Sequence, residues 1–188
     1  KLEFEGMIAN LGLRLDYSHA GGDWFVWDPF ARAFTSENQG GLDTLGEGGS
    51  YLGVTKEPTE RQRTLSPRLG VAFPISENSK LFFNYGHFRQ LPNPDNLYLL
   101  RRFSDTRQVA RIADPNLPLP QTVAYELGYE HNLFDQYLLR VAGYYKDVSQ
   151  QPKIVSYTSR DSKVDYDVTE ATSYRDTRGF EIQLTKNR

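Results

Sequence analysis

Apolar and polar residues alternate repeatedly along this chain, and each alternating run has one greasy side. Leu11, Leu13, Leu15 and Tyr17 share a side in the first run, against Asn10, Gly12, Arg14 and Asp16 on the other. Leu69, Val71 and Phe73 enter a brief turn from Pro74 to Ser79, and Leu81, Phe83 and Tyr85 leave it in the same odd-numbered phase. Val123, Tyr125, Leu127 and Tyr129 do likewise through Asn132 to Gln136 into Leu139, Val141 and Tyr145. A last run sets Phe180, Ile182 and Leu184 against Gly179, Glu181 and Gln183. A period of two is the mark of a β-strand with unlike surroundings on its two sides.

The phase predicts register as well as faces. Centring the first hairpin on Glu77 pairs Phe73 with Leu81, Val71 with Phe83 and Leu69 with Tyr85. Centring the second on Phe134 pairs Tyr129 with Leu139, Leu127 with Val141 and Tyr125 with Gly143, whose bare backbone the Tyr125 ring would cover. Arg140 then faces Gly128 and lies diagonal to Glu126 and Glu130, in reach of both. A one-residue slip would mix greasy and polar sides, so register is strongly specified. Phe82 and Phe88 break the rule by standing on the polar side.

The connections are lopsided. Short turns alternate with long polar segments at about 18–64, 89–121 and 149–172, far beyond the 2–5 residues usual for hairpin loops. Membrane barrels place short turns on the periplasmic side and long loops outside. The expected fold is therefore all-β: a segment of an antiparallel transmembrane β-barrel with long extracellular loops and short periplasmic turns. A soluble β-sandwich gives the same alternation, because only the identity of the wet side differs.

Composition does not oppose this. The mean hydropathy of -0.61 and 38% hydrophobic residues hold no run long enough for a transmembrane helix. A barrel strand needs an apolar residue only at alternate positions, so its signal is diluted. Aromatics at 13%, with 12 Tyr and 11 Phe, suit both strands and interfacial girdles. The absence of Cys excludes a disulfide framework, and a net charge of -2 gives no nucleic-acid footprint.

By pattern the chain holds about six strands, fewer than the eight of the smallest outer-membrane barrels. It is expected to be one partial barrel over residues 1–188, opening in an extended stretch from Lys1 to Tyr17 without a signal peptide, and without a plug domain.

Five phrases, in order, resemble the barrel strands of the TonB-dependent outer-membrane receptors: Asn10 to Asp16, Ser66 to Ala72, Leu81 to Arg89 followed by Leu91-Pro92, Thr122 to Glu130, and Gly179 to Thr185. The resemblance implies a bacterial outer-membrane location and a barrel of 22 strands around an N-terminal plug. It also implies import of a scarce ligand with energy relayed through TonB. The implied partners are outer-membrane lipid, the rest of the barrel, its plug, the TonB system and an extracellular ligand. Similar barrels also serve structural, secretion or adhesion roles, and a soluble carbohydrate-binding sandwich is the reading from a different class.

Candidate chemistry sits in the loops and on the polar side. Trp24, Phe25 and Trp27 form an aromatic cluster between Asp23 and Asp28, suited to stacking on a sugar or flat ligand or to anchoring the loop. Tyr98, Arg101 and Arg102, with Arg107 and Arg111, offer an anion site. Arg14, Arg68, Glu126, Arg140 and Glu181 are expected to look into the lumen toward a plug. Gly40-Gly41 and Gly46 to Ser50 read as flexible loop. His19, His87 and His131 lie on separate strands, and no nucleophile elbow, HExxH or phosphate loop is present, so neither catalysis nor a metal or other cofactor is expected.

Overall fold

The computed structural model describes residues 2–4, 6–38, 42 and 53–186, which leaves the Gly40-Gly41 and Gly46 to Ser50 segments outside the described residues. In chain order the strands are β1 (Leu2–Phe4), β2 (Met7–His19), β3 (Asp23–Trp27), β4 (Val54–Pro58), β5 (Arg61–Ser76), β6 (Ser79–Arg89), β7 (Leu100–Arg102), β8 (Val109–Ile112), β9 (Gln121–Leu133), β10 (Tyr137–Thr158) and β11 (Asp165–Lys186). Among the described residues a short helix, α1 (Pro94–Tyr98), and a 3-10 turn at Arg32–Phe34 lie between the strands. A single nine-stranded sheet runs β1-β2-β5-β6-β9-β10-β11-β8-β7, and β3 and β4 form a separate hairpin.

The six long strands are the alternating runs of the sequence, and the greasy side of each is exposed. Leu13 is 70% exposed, Leu127 60% and Phe180 79%. Among the described residues the apolar core lies elsewhere, under the loops, and no second sheet covers this face. That is the arrangement of a wall whose outer surface meets lipid, and it overturns the sandwich reading.

The apolar band also climbs across the sheet. The hydrogen-bonded row through Ile182 passes Val141, Tyr129, Leu81 and Phe73, and reaches β2 beside Ile8, at Met7. The apolar run of β2 is centred near residue 14, seven residues further up. Seven residues are about 24 Å of strand, and five strand-to-strand steps are about 24 Å across, so strands crossing a level band tilt by about 45°. Transmembrane barrels have this tilt. A soluble sheet has no reason to shear its apolar stripe.

Register follows the first hairpin as expected, with Phe73 opposite Leu81, Val71 opposite Phe83 and Leu69 opposite Tyr85. The second is shifted by one step. Tyr129 pairs with Val141, Leu127 with Gly143 and Tyr125 with Tyr145, because Phe134 and Asp135 both take positive φ and the connection pivots one residue later. The faces survive, since both strands keep their parity. The Lys1 to Tyr17 stretch is not continuous either: a turn with Gly6 at φ 76° folds β1 back on β2.

The 149–172 segment is mostly strand rather than loop. β10 and β11 are 22 residues each, about twice a bilayer crossing, so the hairpin rises well above the apolar band. Between Val148 and Gln151 one extra residue bulges on β10, and between Gln151 and Lys153 one bulges on β11. Each bulge reverses the parity of its strand. The face carrying Val148 and Arg175 therefore continues as Gln151, Lys153, Val155 and Tyr157 opposite Ser173, Glu170, Val168 and Tyr166.

Candidate ligand-binding site at the outer mouth

The side of the wall opposite the apolar face is a ladder of small, aromatic and charged side chains. Arg140 stands opposite Glu130, and its guanidinium reaches Glu126 at 2.9 Å and Glu130 at 3.9 Å. Lys80 holds Glu130 at 2.7 Å, and the Asn84 amide donates to Glu126 at 2.9 Å. Arg14 pairs with Asp16 at 2.7 Å on the same face. Arg68 lies over the Phe88 ring and Arg140 over the Phe82 ring, each 4.8 Å from the centroid. Glu181 occupies the same face beside Ala142, exposed and without an ion pair among the described residues.

The two phenylalanines that broke the polar pattern cover glycines. A Cβ on Gly128 would strike the Phe82 ring, and one on Gly86 would sit 3.2 Å from Phe88. Tyr144 covers Gly179 in the same way, with its hydroxyl 2.7 Å from the position of a Cβ. Gly143, expected to lie beneath Tyr125, has no ring over it, and a Cβ there would have the Gly179 carbonyl oxygen, 4.0 Å away, as its nearest neighbour. Aromatic rings across bare backbone are thus a device of the inner face, where they fill the gap a side chain would leave.

Above the apolar band the three long connections fold into one cap. Phe34 is fully buried and stacks on Tyr166 with centroids 4.2 Å apart, and around them pack Ala31, Val54, Val109, Ile112, Val164 and Val168. The cap backbone is tied across the loops. Gln108 donates its amide to the Phe34 carbonyl at 2.9 Å, Ser36 its N–H to Lys163 at 2.8 Å, and Tyr166 its hydroxyl to Pro29 at 2.7 Å. β8 adds in parallel to β11 at Asp167 and Val168, closing that stretch of its edge.

This cap decides where the sequence-derived candidates sit. Trp24 gives its indole N–H to the Ala113 carbonyl at 2.8 Å, and Trp27 packs against Phe34, so both are half-buried parts of the cap. Tyr98 and Arg101 are exposed, and Arg101 stands across β7–β8 from Arg111, which bonds Asn96 and the Thr169 hydroxyl. Arg102 is half-buried next to Arg101. The five are not gathered into one pocket. What the fold does gather is a cavity of about 280 Å³ between cap and hairpin, lined among others by Trp27, Asp114, Tyr157, Thr169 and Glu170. Tyr157 donates its hydroxyl to Glu170, which raises the phenol's pKa. Burial pushes the Asp114 carboxyl above its ordinary range, opposed by the Asn116 N–H and reinforced by the nearby Glu60 charge. Asp114 fell within one expected long loop, 89–121, and Tyr157 and Glu170 within another, 149–172.

The chain matches the family described as TonB dependent receptor-like, beta-barrel, over residues 2–187. Its structure is similar to the Serratia marcescens hemophore receptor HasR, with a TM-score of 0.61 at 19% identity, covering 97% of this chain and 29% of that one. The E. coli K12 ferric-catecholate import receptor Fiu gives 0.54 at 17% identity, covering 98% and 24%. The copper transporter OprC gives 0.54 at 13%, covering 97% and 25%. The chain thus spans under a third of each of these proteins. A search among curated sequences finds no match.

Proposed function

The chain belongs to the TonB-dependent receptor-like β-barrel family, and from that membership we propose that it is a stretch of transporter wall that imports a scarce ligand through a plugged barrel. Barrels of this family are outer-membrane receptors and transporters, not enzymes. The single observation that carries the reading is the division of the wall into two unlike faces beneath a folded cap. Outside, a sheared apolar band meets lipid. Inside, Arg140, Glu126, Glu130, Lys80, Arg14 and Arg68 line the passage, with Glu181 beside them. Charges held in register but half-exposed suit a packing partner that slides or rearranges, since each exposed pair is worth only ~0–1 kcal/mol and exchanges cheaply. The plug would be that partner. The cap would select the ligand outside, and a TonB-driven change in the plug would release it inside.

The test is genetic and uses the whole receptor. A strain lacking this gene and a strain lacking TonB should lose uptake of the same nutrient, and restoring the gene should rescue only where TonB is present. A barrel serving secretion, adhesion or scaffolding would retain its role without TonB, and that result would refute the transport reading.

A further inference from the structure

The cavity between cap and hairpin has a chemistry of its own. Its lining includes two aromatic residues, Trp27 and Tyr157, the apolar Pro29, Leu117 and Pro118, and two acidic residues, Asp114 and Glu170. Among the described residues neither carboxyl makes an ion pair. The charge that acts on Asp114 is another carboxylate, Glu60, and the charges acting on the buried Tyr166 beside the cavity include Asp28 and Glu170. Two cations are near. Arg111 is engaged by Asn96 and by the hydroxyl of Thr169. Lys153 faces Glu170 across the ladder but is exposed and outside ion-pair distance.

The geometry points to this cavity as a subsite for an organic cation, an ammonium or guanidinium group seated between the Trp27 and Tyr157 rings and the Asp114 and Glu170 carboxyls. This deepens the transport reading by naming a ligand class for the cap. Aromatic faces attract a cation through their quadrupole, and a carboxylate beside them adds a charge-assisted hydrogen bond. A neutral sugar would bring no charge to the two carboxyls beyond their bonds to Tyr157 and Asn116, and an anion would be repelled by them. The volume of about 280 Å³ admits one small organic head group rather than a whole large chelate.

Agmatine, which carries a guanidinium and an ammonium, is the probe, with glucose and citrate as uncharged and anionic comparators. Titrated calorimetrically into the full-length receptor in detergent, agmatine should bind and neither comparator should compete. Glu170→Gln should weaken agmatine about tenfold through loss of a charge-assisted bond. Lys153→Gln, at an exposed site, should tighten it about twofold to threefold by removing a competing charge. A purely structural role for these residues would not produce opposite signs. Heat-modifiable gel migration confirms that each variant is folded, and Lys153→Gln alone still decides if Glu170→Gln is not. Absence of agmatine binding, stronger citrate binding, or no change in the Lys153 variant would overturn the inference. TonB-dependent uptake of an anionic ligand without agmatine binding would remove this subsite and leave transport standing. Agmatine binding without any TonB dependence would do the reverse.

Discussion

Gly128 and Phe82 offer a sharp test of how the inner wall is built. The Phe82 ring, 8% exposed, lies over the Gly128 backbone and under the Arg140 guanidinium. A methyl on Gly128 would overlap that ring and stand 2.9 Å from the Val141 carbonyl oxygen. Gly128→Ala must therefore push Phe82 out of place and loosen Arg140 from it. Overpacking of this kind costs about 1–3 kcal/mol, and the lost cation–π contact about 0.5–1 kcal/mol more. With Phe82→Ala in place the ring is gone, and the same methyl should cost less, because only its contact with the Val141 carbonyl oxygen remains. The full-length receptor, refolded into phospholipid vesicles and titrated with urea, gives all four corners of the cycle from the loss of heat-modifiable migration. The overlap of ring and methyl predicts a coupling of about 1–3 kcal/mol in the direction of rescue. Additive single and double variants would show that Phe82 does not rest on Gly128, and the aromatic-over-glycine reading of the inner face would fail.

Leu127→Arg, at the middle of the β9 apolar run, should cost about 2–4 kcal/mol of membrane folding stability, whereas Gln183→Arg on the inner face should be tolerated far better; equal damage would contradict the assigned faces. Phe34→Ala removes a fully buried ring from the cap and should destabilise it by about 3–5 kcal/mol, read as new protease cuts in the outer loops while the barrel still migrates as folded. Asp114 responds to pH in the direction set by burial. Its folded-state pKa lies above the ordinary value of 3.8, so the stability that Asp114 itself contributes is fully present below that value and is lost as pH rises through the raised pKa. Hydrogen exchange in the cap, compared between the parent and Asp114→Asn at each pH, should show the parent losing protection relative to the variant as pH rises, and an unchanged difference would contradict the assignment.

The wall was legible in sequence because a one-faced strand must alternate, and the cap was not because nothing local encodes it. Leu69, Val71 and Phe73 met their expected partners across a short turn of ordinary parity. The second hairpin slipped one step because two positive-φ residues, Phe134 and Asp135, place the pivot, and neither is the glycine or asparagine that advertises such a turn. Above Val148 the two bulges reversed the phase of β10 and β11, so true strands read as a patternless loop. The parallel pairing of β8 with β11 joins residues more than fifty apart and leaves no local trace. Of the two roles open to Trp24 and Trp27, stacking on a ligand or anchoring the loop, the structure shows anchoring, and the local pattern could not choose because a core made of three distant loops shows no periodicity. The Arg140 bridge to Glu126 and Glu130 came through despite the slipped register, since a long side chain reaches both acids from either position.

A tilted wall that carries a level greasy belt puts residues of different hydrogen-bonded rows at one depth, which fluorescence quenching in the bilayer measures. Single cysteines at Leu13, Ile182 and Met7 of the full-length receptor, labelled with a fluorophore, can be quenched by lipids brominated at mid-chain. Leu13 and Ile182 should be quenched alike although they lie on different hydrogen-bonded rows, and Met7, on the row of Ile182, should be quenched little because it sits about 16 Å lower. Equal quenching of Met7 and Ile182 with Leu13 spared would mean untilted strands, and no quenching at any of the three would mean that the exposed leucines never meet a bilayer.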